Sequence, residues 1–288
     1  MTKTRWALAV ALFGAGASCA SGPTPTRAVP PVTPVPATAR WGARRDTIHA
    51  VLSQNVRVVV VDGAQEVRSA SGVVVGTGAT PTGAVSYVMT NAHVVLPRAG
   101  ERPDFRVLLD LPAGRSQDFA ARVIALGSVP EVDLAVLAVP GIALRTARLA
   151  ADDELSIGDE VLVIAAPYGH ALSVSGGLVS QVDFDKASPR RPAMIKTDAA
   201  IGYGASGGGI FSLESGKLLG IVEGYRTAKV SIPLPQETYS FDVPMPGETF
   251  AAPGAKIRRF LEDHGLGALV EKLDLREPEG RPPPVAAN

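Results

Sequence analysis

A serine set among glycines is the feature of this 288-residue chain that most directly suggests covalent chemistry. Ser206 lies in the sequence GASGGG at 204–209. Small neighbours leave its hydroxyl uncrowded and allow backbone N–H groups to point at a developing oxyanion. A serine hydroxyl is a weak nucleophile at neutral pH and needs a base beside it. The segment therefore predicts a nucleophile if the chain also supplies that base.

Two earlier segments supply a base and a group to orient it. The sequence TNAHVV at 90–95 contains His93, and EVDLAVL at 131–137 contains Asp133. An imidazole can take the serine proton during attack on a carbonyl carbon, while a carboxylate holds the imidazole in the correct tautomer. We therefore predict a catalytic triad of His93, Asp133 and Ser206. The chain order His, Asp, Ser is that of chymotrypsin-type proteases.

These motifs, together with two others between them, resemble the HtrA (Deg) branch of the trypsin-fold serine endopeptidases. The other two are GDEVLVIAAPYG at 158–169 and SGGLVS at 175–180. The similarity covers about residues 45–265 and includes TDAAIGYGASGG at 197–208. It implies an endopeptidase that cuts unfolded or extended polypeptides through an acyl-enzyme intermediate, in envelope protein quality control. It also implies no cofactor and no metal, and it leaves a homo-oligomer open.

The resemblance also assigns the rest of the site. The backbone N–H groups of Gly204 and Ser206 are expected to form the oxyanion hole. The residues expected to bind substrate are Ala200, Ile201, Gly202, Tyr203, Ile221, Val222, Glu223 and Gly224. Since Ala200 brings no charge to the predicted pocket, we expect cleavage after small or medium aliphatic residues. A Glu223 carboxylate turned inward would change that preference.

One position departs from the family pattern. Ala205 precedes the serine where the family usually has Asn. The oxyanion hole is built from backbone groups and survives this change, but the loop loses a side-chain hydrogen bond, so low resting activity is expected. A catalytically weak or inactive trypsin-fold protein that binds peptides by strand addition is therefore an alternative.

A second alternative is an esterase of the α/β-hydrolase type. The sequence GASGG at 204–208 also fits the nucleophile elbow G-x-S-x-G, and Asp242 with His264 could complete the order Ser, Asp, His. That fold needs a parallel sheet with crossover helices. The chain before Ser206 shows almost no helical periodicity, so this alternative is the minor one.

The sequence predicts that the elements positioning the site are β-strands. Apolar, β-branched segments recur between Gly, Pro, Asp and Ser, which favours an all-β barrel or sandwich. With the resemblance, we predict a trypsin-like double β-barrel with a short N-terminal helix from Asp46 or Thr47 and a C-terminal helix at about 253–264. The nine predicted strands are 56–61, 73–75, 85–90, 106–111, 122–126, 134–139, 161–165, 178–182 and 218–222.

The N-terminus reads as an export signal at 1–19. Lys3 and Arg5 precede an apolar run from Trp6 to about Ala17, too short for a bilayer span. Cys19, the only cysteine, ends a segment similar to a bacterial lipobox and is predicted to be lipidated. The protein is therefore expected in the bacterial cell envelope or periplasm, lipid-anchored; the alternative is a secreted soluble protein.

Composition gives the remaining organisation. The chain has 28 basic and 28 acidic residues, so no charge excess indicates a nucleic-acid partner. A Pro-rich linker is predicted at 20–44, followed by a protease domain at 45–265 whose barrels occupy about 45–145 and 146–265. The tail at 266–288 is expected to be largely disordered, and no PDZ domain is expected.

Overall fold

Two β-barrels make up most of the protein. The computed structural model describes residues 37–81, 83–111, 114–233 and 238–274. In this part of the chain twelve strands form two closed antiparallel barrels of six strands each. The all-β, two-barrel prediction is confirmed. The predicted export signal with Cys19, and the tail beyond residue 274, lie outside the described residues.

The first barrel is built from valine-rich strands. Their order around the barrel is β1-β2-β3-β6-β5-β4, and β1 pairs with β4 to close it. Side chains alternate along a strand, so Val56, Val58 and Val60 all point into the core. The strands are β1 Asn55–Asp62, β2 Gln65–Thr80, β3 Gly83–Thr90, β4 Pro103–Leu111, β5 Arg115–Leu126 and β6 Ala135–Pro140.

The second barrel repeats this architecture in the order β10-β11-β12-β9-β8-β7. Its core includes Val163, Ile195, Ile210 and Val222. The strands are β7 Glu160–Ala165, β8 Ser173–Asp185, β9 Ser188–Thr197, β10 Gly209–Ser212, β11 Leu218–Pro233 and β12 Thr238–Pro253.

A shared apolar cluster joins the two barrels to the helices. It includes Met89 of the first barrel, Ile164 and Phe211 of the second, and residues of three helices. The described helices are α1 Ala37–Leu52, α2 Ala92–Val95, α3 Gly254–Asp263 and α4 Gly267–Asp274. The cluster therefore packs the two barrels against each other and against the helices.

Two helices differ from the prediction. α1 begins at Ala37, directly after the last proline of the predicted linker, so residues 37–44 are helical. α4 lies in the segment predicted as tail, and Leu269, Val270 and Leu273 bury their side chains in the shared cluster. Leu269 packs against Gly76, where an added Cβ would lie 2.6 Å from the leucine side chain. α3 agrees with the predicted C-terminal helix.

The second barrel carries a long two-stranded ribbon. β11 and β12 stay paired from Thr227 with Pro244 to Pro233 with Thr238. One face of the ribbon is apolar and exposed, with Val230, Ile232, Tyr239, Phe241 and Val243. Within the described ranges, no helix has the length and apolar character that a membrane span requires.

Candidate active site

His93 lies on α2, the single turn that follows β3. Its neighbours Ala92, Val94 and Val95 are buried in the first barrel, and this fixes the turn. The His93 side chain is 40% exposed and faces the cleft between the barrels. The sequence therefore anchors the turn with apolar residues on both sides of the one that faces solvent.

Asp133 lies just before β6 and accepts two hydrogen bonds from His93. Its Oδ2 is 2.6 Å from His93 Nδ1, and its Oδ1 accepts the backbone N–H of His93 at 2.9 Å. The Asn91 amide donates to the backbone carbonyl of Asp133 at 2.7 Å. Burial opposes the charge, but the bonds from His93 outweigh it, so the pKa of Asp133 lies below its ordinary value. The carboxylate is thus held ionised and aimed at the imidazole.

Ser206 completes the arrangement from the second barrel. Its Oγ is 3.1 Å from His93 Nε2, the ring nitrogen that Asp133 does not contact. The structure therefore brings together all three residues predicted as a triad, over chain separations of 40 and 73 residues. A neutral imidazole protonated at Nδ1 can accept the serine proton at Nε2.

The loop around Ser206 depends on glycine. Gly204 and Gly207 have φ angles of +88° and +81°, in the left-handed region that glycine favours. A Cβ on Gly207 would overlap the Ser71 carbonyl oxygen and Thr90 Oγ1. The glycines therefore permit both the turn and its close approach to the first barrel.

Two backbone N–H groups next to Ser206 are available to an oxyanion. The Tyr203 carbonyl accepts the Tyr168 N–H at 2.6 Å, and the Ala205 carbonyl accepts the Gly208 N–H at 2.9 Å. In a planar trans peptide the N–H points opposite the carbonyl, so the N–H groups of Gly204 and Ser206 point away from these partners. Neither has a hydrogen-bond acceptor within the described residues.

Ser71, which the sequence analysis missed, holds this loop from the first barrel. Its N–H donates to the Ser206 carbonyl at 2.9 Å, and its Oγ donates to the Gly204 carbonyl at 2.8 Å. The same Oγ accepts the Ala166 N–H at 2.8 Å. Thr90 Oγ1 in turn donates to the Ser71 carbonyl at 2.8 Å. No local motif marks such a serine, because its partners lie far away in sequence.

A cavity of about 310 Å³ opens beside His93 and Ser206. Four residues predicted to bind substrate line it: Ile201, Gly202, Tyr203 and Gly224. Gly204, one of the predicted oxyanion donors, lines it as well. The cavity is therefore continuous from the nucleophile to the predicted substrate pocket.

The other four residues predicted to bind substrate lie elsewhere. Ala200 is exposed and does not line the cavity. The side chains of Ile221 and Val222 are fully buried, and the backbone of Val222 bonds to the nucleophile loop at Gly207 and Gly208. These two residues support the cavity wall from behind. Glu223 does not turn its charge into the cavity; it pairs with Lys256 of α3.

Three further residues line the cavity from the ribbon side: Tyr225, Thr227 and Asp242. The Tyr203 ring makes edge contacts with the rings of Tyr168 and Tyr225, at centroid distances of 6.2 and 5.9 Å. Burial and the neighbouring Tyr203 raise the pKa of Tyr225 to about 12. The sequence analysis did not assign Tyr225, Thr227 or Asp242 to the substrate pocket because it did not predict the ribbon.

The esterase alternative is wrong. The antiparallel barrels lack the parallel sheet of an α/β-hydrolase. His264 lies at the end of α3, where its ring contacts the carbonyls of Phe260 at 2.8 Å and Leu126 at 3.2 Å. Asp242 does line the cavity, but its proposed partner does not. As to metals, no group of three or more His, Cys, Asp or Glu side chains is placed to hold an ion within the described residues.

The chain has clear relatives among curated proteins. The chain is 38% identical over 135 residues to a probable periplasmic serine endoprotease, DegP-like, of Ectopseudomonas mendocina (strain ymp), covering 47% of this chain and 26% of that protein. It is 30% identical over 203 residues to a protein of the same description from Pseudomonas fulva (strain 12-X), covering 70% and 39%. The chain thus spans about a quarter to two fifths of the length of these relatives.

Solved structures share the fold. The serine endoprotease from Yersinia pestis matches with a TM-score of 0.54 and 23% identity, over 77% of this chain and 66% of that one. Deg5 matches with a TM-score of 0.54 and 21% identity, over 76% and 92%. The predicted trypsin-like fold and the HtrA (Deg) resemblance are confirmed. A model of the trypsin-like peptidase domain matches residues 70–221, more than half of the chain and all of the triad. The chain therefore belongs to the trypsin-like peptidase domain family, and its relatives are DegP-like serine endoproteases.

Proposed function

We propose that this protein is a serine endopeptidase that uses Ser206 as nucleophile, His93 as base and Asp133 as the group that orients the base. The observation that carries the proposal is the continuous contact from Asp133 Oδ2 through the imidazole to Ser206 Oγ, at 2.6 and 3.1 Å. It lies beside a cavity large enough for a side chain and next to two free backbone donors.

The chemistry follows from these positions. Ser206 Oγ attacks the scissile carbonyl carbon while His93 Nε2 takes the hydroxyl proton, and ionised Asp133 stabilises the imidazolium. The N–H groups of Gly204 and Ser206 bind the tetrahedral oxyanion, each worth about 3 kcal/mol in the transition state. His93 then protonates the leaving amine, and water hydrolyses the acyl-enzyme by the same steps in reverse order.

Unfolded or extended polypeptides are the substrate class we propose. Among the described residues, β11 pairs with β10 only as far as Ile221, so from Gly224 onward no strand covers the edge of β11 opposite β12. Gly224 lines the cavity together with Ser206. An extended substrate can add its backbone to such an edge, whereas a folded segment has its own backbone groups already paired. The open edge supports this class.

For the residue before the cut bond we propose a small or medium aliphatic side chain. Ile201 and glycines line the cavity close to Ser206, and its one carboxylate, Asp242, lies directly across the ribbon from Lys229. A peptide library profiled on the wild type and on Asp242→Asn tests this. A preference for Lys or Arg that Asp242→Asn abolishes would contradict the aliphatic proposal.

A periplasmic location in the bacterial envelope and a role in protein quality control are further parts of the proposal. They are supported by the relatives' description as periplasmic and by the export signal predicted at 1–19. We propose a lipid anchor at Cys19. Replacement of Cys19 by Ser should move the full chain from the membrane fraction to the soluble fraction; unchanged partitioning into detergent would exclude the anchor.

The decisive test is labelling of the purified protein with a fluorophosphonate probe, which reacts only with an activated serine. Wild type should be labelled, and Ser206→Ala and His93→Ala should not. His264→Ala is the matched control, since that histidine lies at the end of α3, away from the cleft. A folded wild type that is never labelled, and that retains bound peptide without cutting it, would favour the non-cleaving alternative.

A further inference from the structure

An enclosed ion pair joins β11 to α3. Glu223 of β11 accepts a hydrogen bond from Lys256 of α3, with Oε1 and Nζ 2.7 Å apart. Only 14% of the Glu223 side chain and 21% of the Lys256 side chain are exposed. Taking two charges out of water is costly, and a pair so enclosed is weak evidence for a stabilising role. Its position points to another role.

Both members of the pair adjoin the catalytic residues. Val222, the residue before Glu223, accepts the Gly207 N–H at 3.0 Å, and Gly224, the residue after it, lines the cavity with His93 and Ser206. Lys256 lines a second cavity, of about 630 Å³, together with Glu131 and Val132, which lead directly into Asp133. The ion pair therefore adjoins the loop of Ser206 through Val222, and it adjoins the chain that leads into Asp133 through Lys256.

The charges of the pair and of the triad act on one another. Burial raises the pKa of Glu223; Lys256 opposes this rise and the negative charge of Asp133 adds to it. The charge of His93 also reaches Glu223, and the charge of Lys256 contributes to the lowered pKa of Asp133. A change in either member of the pair is therefore felt at the triad.

We infer that the Glu223–Lys256 ion pair is a positioning element of this active site, whose two opposite charges set the field in which His93 takes up and returns its proton. The part of this inference that concerns catalysis rests on the proposed function. With both members present, the two opposite charges offset part of each other's effect at the imidazole. The removal of one leaves the other as an uncompensated charge beside Asp133.

Four other charged groups near Lys256 form two pairs. Asp185 pairs with Arg191 at 2.6 Å, and Arg259 lies 3.7 Å from Asp263. The other titratable groups at that cavity are Glu131 and His264. Glu223 itself faces Lys256, Asp133 and His93. Asp242, Tyr203 and Tyr225 line the cavity beside His93, and the variants of the ion pair leave them unchanged.

The variant Glu223→Gln keeps the shape of the side chain and leaves the Lys256 cation unpaired. A nearby cation disfavours a second positive charge, so the midpoint of the His93 titration should move to lower pH, by about 0.5 unit or more. The double variant Glu223→Gln with Lys256→Met removes both charges and should return the midpoint to its wild-type value. A merely structural contact would give no such reversal.

The measurement is an NMR titration of the His93 ring in the full chain, assigned by comparison with His93→Ala. It needs no peptidase activity, so it can succeed even if the proposed function fails. The pH dependence of fluorophosphonate labelling then tests the role of the pair in catalysis. At pH values below the wild-type midpoint, the Glu223→Gln variant should be labelled about threefold faster than the wild type. The matched control is Glu154→Gln, which removes the acid that pairs with Lys217 at 2.6 Å away from both cavities and should move nothing.

A midpoint that Glu223→Gln leaves unchanged would overturn the inference, as would a shift that the double variant does not reverse. Should Glu223→Gln fail to fold, Lys256→Met gives the same test with the opposite sign, because the remaining carboxylate favours the imidazolium.

Discussion

Ser71 Oγ donates a hydrogen bond of 2.8 Å to the carbonyl oxygen of Gly204. Ser71 belongs to the first barrel, which also carries His93 and Asp133, whereas Gly204 lies in the loop of the second barrel that carries Ser206. The contact therefore fixes the loop that carries Ser206 relative to His93. It also orients the peptide planes around Gly204, whose N–H is one of the two free donors.

Replacement of Ser71 by Ala should lower kcat about 10- to 100-fold with little change in KM, because a small misplacement of reacting groups is costly in the transition state. Stability should fall by about 1–3 kcal/mol, since the Gly204 carbonyl and the Ala166 N–H lose their partner. Peptide hydrolysis kinetics and urea unfolding measure both effects.

Ser86→Ala is the control for that prediction. The Ser86 hydroxyl also bridges two backbone groups, Ile142 and Leu144, but it lies within the first barrel and away from the cleft. It should lose similar stability and keep kcat. Equal losses of kcat in both variants would show that the Ser71 contact has no special role at the site.

The contacts among His93, Asp133 and Ser206 could be predicted from sequence because the chemistry proposed for them needs rare residue types in a fixed order. The fold class could be predicted because nine apolar, β-branched segments match observed strands. Three strands were missed. β9 contains Pro189 and Pro192 among charged residues, β10 has only four residues, and β12 is interrupted by prolines and Gly247. Their strand conformation comes from closure of the barrel rather than from local propensity.

The side of the cavity formed by Tyr225, Thr227 and Asp242 could not be predicted in the same way. Thr227 and Asp242 reach the cavity only because β11 and β12 continue as a ribbon, which no motif in the sequence marks. Ile221 and Val222 were assigned by resemblance to the correct strand, but both side chains are buried: Ile221 packs in the shared cluster and Val222 in the core of the second barrel. Which strand faces are covered depends on the tertiary packing around the strand.

Replacement of Gly207 by Ala should abolish activity and destabilise the protein by several kcal/mol. Its φ of +81° strains any other residue, and its Cβ would overlap Ser71 and Thr90. Gly141→Ala is the matched control, because Gly141 has a φ of +86° and open space around it. It should cost only about 1 kcal/mol of backbone strain. Thermal unfolding and labelling measure the difference; similar losses in the two variants would exclude the overlap.

Replacement of Asp133 by Asn should lower kcat by about 10⁴-fold while the fold is kept. The Asn amide would donate toward His93 Nδ1, so the imidazole would carry its proton on Nε2 and could not accept one from Ser206. Steady-state kinetics measure the loss. Asp110→Asn, which breaks a partly buried pair with Arg57 away from the cavity, is the control and should keep kcat. A loss below about tenfold for Asp133→Asn would contradict the triad.

The same residue predicts acid sensitivity. Because the pKa of Asp133 in the folded protein is lowered from 3.8, its ionised form stabilises the fold above that pH. This contribution is lost as the pH falls from about 3.8 through the lower folded value. Urea unfolding at a series of pH values should show the wild type losing stability relative to Asp133→Asn in that range. Parallel curves for the two proteins would contradict the lowered pKa.

Replacement of Ala205 by Asn should destabilise the protein and leave kcat/KM no higher than in the wild type. The sequence comparison alone suggests the opposite, an activating hydrogen bond. Ala205, however, is 1% exposed and packs in the apolar cluster of the second barrel, so an amide there would be buried at a cost of about 1–3 kcal/mol. The loop is already held by Ser71 and by the Ala205 N–H, which donates to Gly202 at 3.1 Å. Ala251→Asn, in the same cluster but on β12, controls for burial alone. If Ala205→Asn kept its melting temperature and gained activity, the loop would need the missing side chain after all.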